Sequence, residues 1–179
     1  MTIPEWGPPD LTECPAVHRG YVARVPPGAI LSILETQIDD TKRMLAGLDP
    51  TAAEYRYAPD KWSIKDVVGH LCDVERVFTY RALRFARNDA TPLPGFEQDD
   101  YVASGGFEAR SLPSLLEELE AVRRATLALF RGLDAGAVRR RGRASGGDFT
   151  VRIIAYVIAG HELHHGVVLR ERYLRAASR

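Results

Sequence analysis

Four segments of the chain repeat apolar residues at helical spacing, and this repetition constrains the fold most strongly. They span residues 30–48, 63–87, 112–133 and 150–168. Apolar residues three and four positions apart lie on one face of an α-helix, which must bury that face against another element. No segment shows the alternation that is typical of a β-strand. The sequence therefore predicts an all-α four-helix bundle.

Proline and glycine mark the segments between these helices. Residues 1–27 hold six of the eleven prolines, so we expect an irregular N-terminal arm there. Residues 28–179 would then form the bundle domain. Residues 88–110 are rich in proline and glycine and long enough to cross the bundle between the second and third helices. Residues 139–147 are expected to form a polar connection before the fourth helix, which Asp148 or Thr150 can cap. Ser63 and Asp66 are expected to form a capping box at the start of the second helix.

The charge balance gives the chain no global attraction to polyanions. Lys and Arg total 24, and so do Asp and Glu. The exception is an arginine cluster formed by Arg139, Arg140, Arg141 and Arg143. A solvated loop, a site for the carboxylates of a small cosubstrate and a nucleic-acid site are three interpretations of this cluster. The neutral balance of the chain makes nucleic acid the least favoured of the three.

The sequence predicts neither a membrane span nor a secreted protein. Its longest apolar stretch, residues 153–160, is far shorter than the roughly 20 residues that a span needs. The first ten residues lack the basic start and apolar run of a signal peptide. Cys14 and Cys72 lie 58 positions apart, without the spacing of a disulfide framework or a cysteine zinc site. We therefore expect a cytoplasmic protein.

Histidines occupy positions on the apolar faces of two predicted helices. His161 and His165 are four residues apart on the fourth helix, a spacing that brings two imidazoles to one ion. His70 borders the apolar face of the second helix. Histidines at such positions can be core residues with hydrogen-bond partners, but three of them from two helices have the arrangement of a metal site with open coordination positions. His164 is the alternative to His165 as a ligand, and also a candidate catalytic or hydrogen-bonding residue beside the metal.

Two better-known metal sites fit this sequence poorly. Residues 161–165 match the HExxH pattern of zinc proteases, in which the glutamate is the general base. The 14 residues that follow contain no histidine for a third ligand. A di-iron centre needs two Glu-x-x-His units, and only the unit of Glu162 and His165 is present. Glu162 stays a candidate proton acceptor, although it points about 100° away from His161 around the helix.

Other residues near the histidines have both a structural and a functional interpretation. Asp66 and Asp73 lie one turn to either side of His70 and could orient its ring, or could be ordinary surface charges. Cys72 is expected to be a small buried side chain, and Trp62 a packing anchor at the start of the second helix. Three aromatic residues could line a pocket above the metal or pack in the core or a dimer: Tyr80, Phe96 and Tyr101.

Several separated motifs resemble the DinB/YfiT-like superfamily and occur in its order. They are Trp62-Ser63-Ile64-Lys65 leading into Gly69-His70-Leu71, then Arg81-Ala82-Leu83-Arg84-Phe85, Pro92-Leu93-Pro94-Gly95-Phe96 and Ala159-Gly160-His161-Glu162-Leu163-His164-His165. The resemblance covers roughly residues 28–175 and leaves out the proline-rich arm.

The resemblance implies a four-helix bundle, often a homodimer, with a divalent metal held by one histidine of the second helix and two of the last. Carried over to this chain, the ligands are His70, His161 and His165. Characterised members include transferases and isomerases that use small thiols such as bacillithiol, mycothiol or glutathione. We therefore expect a metal-dependent S-transferase that joins a small thiol to a small electrophile, with the arginine cluster binding the carboxylates of the thiol.

Two other classes of function stay open. The same metal site would serve a hydrolase or an isomerase, or it would stabilise a non-catalytic, stress-associated metal-binding protein. An accessible coordination position distinguishes an enzyme from a closed structural site. Among divalent ions, Zn²⁺ and Ni²⁺ are the first expectations for three imidazoles, and Fe²⁺ and Mn²⁺ stay open.

Overall fold

The structure, a computed structural model, describes residues 6–174 and is mainly helical. Its α-helices are α1 (Ala16–Val22), α2 (Ile30–Leu45), α3 (Pro50–Ala53), α4 (Ile64–Ala86), α5 (Gln98–Ser104), α6 (Leu112–Arg131) and α7 (Val151–Val168). A short π-helix, Leu169–Leu174, continues α7. Two short strands, β1 (Arg141–Ala144) and β2 (Gly147–Thr150), lie between α6 and α7.

Helices α2, α4, α6 and α7 form the predicted four-helix bundle. Helix α4 packs against both α6 and α7, and α2 packs against the same two helices, so that α2 and α4 lie on a diagonal of the bundle. Helices α2 and α4 follow one another in the bundle, but each packs mainly against α6 and α7 rather than against the other. The predicted all-α bundle is confirmed.

Side-chain caps fix where α4 and α7 begin. Ser63 caps α4 in a capping box with Asp66, each side chain accepting a hydrogen bond from the other residue's backbone N–H, as the sequence predicts. The hydroxyl of Thr150 accepts from the backbone N–H of Ile153 at the start of α7. Of the two caps proposed for α7, Asp148 and Thr150, the structure uses Thr150. These caps satisfy backbone donors that have no partner within a helix.

The expectation of no strand was wrong for the connection before α7. Strands β1 and β2 form an antiparallel hairpin in which Ala144 pairs with Gly147. Its two-residue turn, Ser145 and Gly146, has positive φ at both positions (50° and 75°), which suits the twist of paired strands. Strands of four residues are too short to show a periodic pattern, and only the Ser-Gly pair marks the turn.

The expectation of an irregular N-terminal arm was wrong for residues 16–22, which form α1. The segment packs along α7, and its attachment is polar as well as apolar. Arg152 forms an ion pair with the buried Glu13, and the hydroxyl of Thr150 donates to the same carboxylate at 2.6 Å. The phenol of Tyr156 donates to the carbonyl of Gly7 at 3.0 Å. Prolines flank the short helix rather than preventing it, and the domain boundary at residue 28 stays a prediction.

The predicted crossover between the second and third bundle helices carries α5 and a 3-10 turn at Phe107–Ala109. Phe107 is buried against Gly69 of α4, where an added Cβ would overlap the aromatic ring. Glycine at position 69 therefore lets the crossover lie directly on α4. Within residues 6–174, no helix is both long enough and apolar enough to cross a membrane.

Candidate metal centre

The bundle brings the three predicted histidines together. His70 comes from α4, and His161 and His165 come from successive turns of α7, which packs against α4. The Nε2 atom of His161 lies 3.1 Å from Nε2 of His70 and 3.2 Å from Nε2 of His165. One ligand atom from each ring lies within 4.8 Å of the others. We call these three residues the histidine cluster.

The spacing of the histidine cluster fits a single metal ion. Imidazole nitrogens bound at ~2.0–2.1 Å to one tetrahedral ion lie roughly 3.3 Å from one another, close to the two distances observed here. Three imidazoles also leave coordination positions for water or substrate, as in catalytic sites. The donor set and its spacing therefore suit a divalent transition metal.

Burial keeps the histidine cluster neutral and able to bind a cation. It lowers the pKa of His70 to about 4 and that of His165 to about 3. The pKa of His161 is well below its ordinary value, first because of burial and then because the other two imidazoles are close. Neutral imidazoles keep a lone pair on one ring nitrogen, so no proton has to be displaced from that nitrogen at neutral pH.

Two aromatic side chains hold the rings of the histidine cluster. Trp62 lies 4.6 Å from the His70 ring and stacks on the His165 ring at 6.4 Å, measured between ring centroids. Tyr21, from α1, meets the His161 ring edge-on at 5.3 Å. Trp62 is thus the packing anchor that the sequence predicts, and it packs on two of the candidate metal ligands. Tyr21 was not predicted, because the arm was not expected to reach the site.

A cleft of about 430 Å³ lies beside the histidine cluster. His165 forms part of its wall, and His164 lies next to it with its ring 5.1 Å from that of His165. The remaining lining residues are Tyr57, Asp60, Lys61, Trp62, Val67, Asp99, Val168 and Tyr173. A small molecule in the cleft would therefore lie against His165, the member of the histidine cluster that lines it.

The two candidate catalytic residues of α7 have different surroundings. His164 is partly buried in the cleft wall, and its pKa is lowered by burial and by the nearby Arg24. Glu162 is buried, and its two oxygens accept hydrogen bonds from Thr41 at 2.6 Å and from Arg123 at 2.7 Å. Its carboxylate is therefore engaged within the bundle core, whereas His164 faces the cleft. Both catalytic roles stay predictions.

The arginine cluster lies far from the histidine cluster. Arg140 donates to the carbonyl of Ala86 at the end of α4, sixteen residues beyond His70, which corresponds to about 24 Å along the helix. Arg143 is exposed on the hairpin and lies 3.5 Å from Asp148. Arg139 and Arg141 are also exposed. The structure does not bring these guanidinium groups to the histidine cluster.

Asp66, Asp73 and Cys72 have structural surroundings in α4. Asp66 completes the capping box and forms a 2.8 Å ion pair with Arg56, while Asp73 lies 3.7 Å from Arg76. Within residues 6–174, neither of these carboxylates forms a hydrogen bond with His70. Cys72 is fully buried, which raises the pKa of its thiol to about 12. The expectation of a small buried side chain at Cys72 agrees with this burial.

The aromatic residues proposed to line the pocket lie elsewhere. Tyr80 is 49% exposed and contacts Arg84, and Phe96 packs against Tyr101 with ring centroids 5.1 Å apart. None of the three proposed aromatics lines the described cleft. Tyr57 and Tyr173 line it instead, with ring centroids 5.0 Å apart. Tyr57 comes from a loop and Tyr173 from the π-helix that continues α7, beyond the predicted end of the fourth helix.

Comparisons with known proteins identify the family and the fold. The sequence matches the DinB superfamily over residues 33–169, which is well over half of the chain. The fold is similar to a solved structure of YfiT from Bacillus subtilis, with a TM-score of 0.73 and 16% sequence identity over 83% of this chain and 86% of that one. YfiT is described as a probable metal-dependent hydrolase with an unusual four-helix bundle topology. No curated protein matches the sequence. The chain belongs to the DinB superfamily.

Proposed function

We propose that this protein is a divalent-metal-dependent hydrolase whose metal is held by His70, His161 and His165. The observation that carries the proposal is the convergence of three neutral imidazoles beside an open cleft whose wall includes His165. Nε2 of His161 lies 3.1 Å from that of His70 and 3.2 Å from that of His165. The description of the structurally similar YfiT supports this class of reaction. A purely structural ion would instead be closed off by four protein ligands.

Several residues near the histidine cluster have distinct roles in such a reaction. A divalent ion bound here supplies a Lewis acid that lowers the pKa of water enough for hydroxide to be available near neutral pH. Trp62 and Tyr21 fix the planes of the imidazoles and exclude water from their outer faces. His164 stands in the cleft wall, where it can pass a proton to the leaving group. Glu162, held by Arg123 and Thr41, has a positioning role.

Thiol S-transfer is the second candidate, and it rests on the family resemblance. The same ion would lower the pKa of a thiol as it does that of water. Against the expected thiol site, none of the residues that line the described cleft is an arginine. Its one lysine, Lys61, is paired with Asp60 at 2.7 Å, and Asp99 adds a further negative charge. We therefore place hydrolysis before recognition of a thiol that carries carboxylates.

The first experiment measures metal content and hydrolysis on the same preparations. Native protein purified without a polyhistidine tag is compared with His161→Ala and with the neighbouring His164→Gln as a matched control. We expect about one divalent ion per chain in the native protein and in His164→Gln, and loss of the ion in His161→Ala. Zn²⁺ or Ni²⁺ is the expected ion, with Fe²⁺ and Mn²⁺ tested in parallel.

Activity is then assayed on a panel of small ester, amide and phosphoester substrates, with and without added thiols. Metal-dependent hydrolysis in the native protein, reduced in His164→Gln, would support the proposal. Turnover that requires a thiol would favour S-transfer instead. Stoichiometric metal without turnover on any substrate would favour a non-catalytic metal-binding protein. A cytoplasmic location and a homodimer stay predictions, and the molar mass in solution tests the second.

A further inference from the structure

A buried cluster of three charged side chains lies behind the histidine cluster. The guanidinium of Arg123 donates to both oxygens of Glu75, at 2.9 and 2.8 Å, and to Glu162 at 2.7 Å. All three residues are at most 3% exposed. A further hydrogen bond runs from Arg123 to the carbonyl of Leu34, at 2.8 Å. We call Glu75, Arg123 and Glu162 the charged triad.

The charged triad leaves one negative charge in the core. Two carboxylates against one guanidinium give a formal charge of minus one, beside a site built for a cation. Burying this charge in a low-dielectric interior costs free energy unless an opposite charge lies nearby. A divalent cation held by the histidine cluster is such a charge.

A small cavity connects the charged triad to His161. Its polar lining consists of the charged triad and His161, and its apolar lining of Leu71, Val74, Leu119 and Ile158. Its volume of about 10 Å³ is close to the room that one water molecule needs. A buried water is stable where two to four polar groups surround it, and this cavity supplies them.

The chemistry of a metal ligand requires an acceptor at this place. The Nε2 atom of His161 points to the histidine cluster, so Nδ1 must carry the ring proton when Nε2 binds a metal. None of the side-chain hydrogen bonds in residues 6–174 uses Nδ1 of His161. Metal-binding histidines almost always donate this second N–H to a carboxylate, a carbonyl or a water.

We propose that one buried water molecule links Nδ1 of His161 to the carboxylate of Glu75, which two hydrogen bonds from Arg123 hold in place. Glu75 is thus a positioning residue: it fixes the ring orientation and the tautomer of His161 and supplies a negative charge to the metal. Glu162 accepts from Thr41 of α2, whereas Glu75 accepts from Arg123 alone among the side-chain contacts of residues 6–174 and lines the cavity together with His161. This inference rests on the proposed metal site, and it concerns residues that do not touch the substrate.

The test begins with the native protein without metal, in which two-bond ¹H–¹⁵N spectra of the imidazoles report each tautomer. We expect the Nδ1–H tautomer at His161. This measurement does not depend on hydrolysis, so failure of the proposed function and failure of this inference are distinguishable. A native His161 protonated on Nε2 overturns the inference.

The second step uses Glu75→Gln. A glutamine at this position must turn its carbonyl oxygen to the donors of Arg123. Its other group, the NH₂, is only a donor and cannot accept a hydrogen bond from the water. We expect loss of the single Nδ1–H tautomer and a 10- to 100-fold weaker Zn²⁺ affinity in chelator competition. Glu118→Gln is the matched control, because Glu118 also joins α6 to an arginine of α4, Arg76, but does not line the cavity. It should change stability and leave both readouts unaltered.

A third variant removes the water without changing a charge. Val74→Ile adds one methyl group to the cavity wall and should disturb the His161 tautomer as Glu75→Gln does. It also serves if Glu75→Gln does not fold. If the tautomer and the Zn²⁺ affinity stay native in the variants that fold, Glu75 has no positioning role and the inference is wrong.

Discussion

The backbone carbonyl of Tyr21 lies directly against the α carbon of Gly160, so that α1 and α7 touch without an intervening side chain. The next residue after Gly160 is the metal-ligand candidate His161, and the Tyr21 ring packs on its imidazole at 5.3 Å. The close approach of two backbones therefore positions an N-terminal aromatic ring over the histidine cluster. It joins the arm, which lies outside the residues matched to the family, to the candidate site.

Replacing Gly160 by alanine is expected to push α1 away from α7. A Cβ at this position would overlap the carbonyl of Tyr21, and backbone cannot rotate away as a side chain does. Overpacking of this kind costs about 1–3 kcal/mol in the free energy of unfolding. Urea denaturation measures the loss, and the aromatic signals of Tyr21 should change at the same time.

Gly20→Ala is the matched control for this variant. Gly20 lies in α1, and an added Cβ meets nothing within 4 Å. Alanine is better than glycine in a helix by roughly 1 kcal/mol, so this variant should be neutral or more stable. Equal stability of Gly160→Ala and the native protein would show that the α1–α7 contact is not tight.

The sequence was sufficient for the bundle helices and for the histidine cluster. Helical spacing, the Ser63 cap and the four-residue separation of His161 and His165 depend only on residues that are close in sequence. They can therefore be predicted without knowing the tertiary fold. Tyr21, Tyr57 and Tyr173 carry no such signal, because they reach the site from the arm, from a loop and from the π-helix beyond α7. Tertiary contacts alone decide their positions.

The burial of two members of the charged triad, Arg123 and Glu75, can be predicted from the sequence. Arg123 follows Leu119 by four positions, and Glu75 follows Leu71 by four, so both occupy inward-facing positions. A charged residue on an apolar stripe requires a buried partner. What the sequence does not say is which partner, since Arg123 and Glu75 meet across two helices.

Trp62 should report metal binding by fluorescence. Its ring contacts two candidate ligands, His70 and His165, and a paramagnetic ion such as Ni²⁺ quenches indole emission at this range. Trp6, the other tryptophan, packs on Phe130 in another part of the core. We expect Ni²⁺ to quench Trp6→Phe, which keeps Trp62, and to leave Trp62→Phe nearly unchanged. Strong quenching in Trp62→Phe would place the ion elsewhere.

The protein without metal should lose stability as the pH falls below about 6.5. Burial lowers the pKa of His70 to about 4 in the folded state, so between these values the unfolded chain binds a proton that the folded chain does not. Stability from this group is complete above pH 6.5 and is lost towards pH 4, by roughly 3 kcal/mol. His165 acts in the same direction.

Urea denaturation between pH 7 and 5 in the presence of a chelator measures this slope. His70→Gln removes one of the titrating groups, so its stability should fall less steeply over the same range. A native protein whose stability is constant from pH 7 to pH 5 would mean that the imidazoles are not held neutral by burial. The range ends at pH 5 because carboxylates also titrate below it.

Within the arginine cluster, we expect Arg140 to stabilise the fold and the exposed arginines to have no effect on the metal site. Arg140 donates to the carbonyl of Ala86, so Arg140→Ala leaves that carbonyl unpaired and should cost about 1–3 kcal/mol of stability. Arg141 and Arg143 are exposed on the hairpin, and the double variant to alanine should change stability by less than about 0.5 kcal/mol. Its metal affinity and hydrolysis should equal those of the native protein, because the hairpin is distant from the histidine cluster. Loss of thiol-dependent turnover in the double variant, with metal affinity intact, would instead assign these arginines to the carboxylates of a thiol.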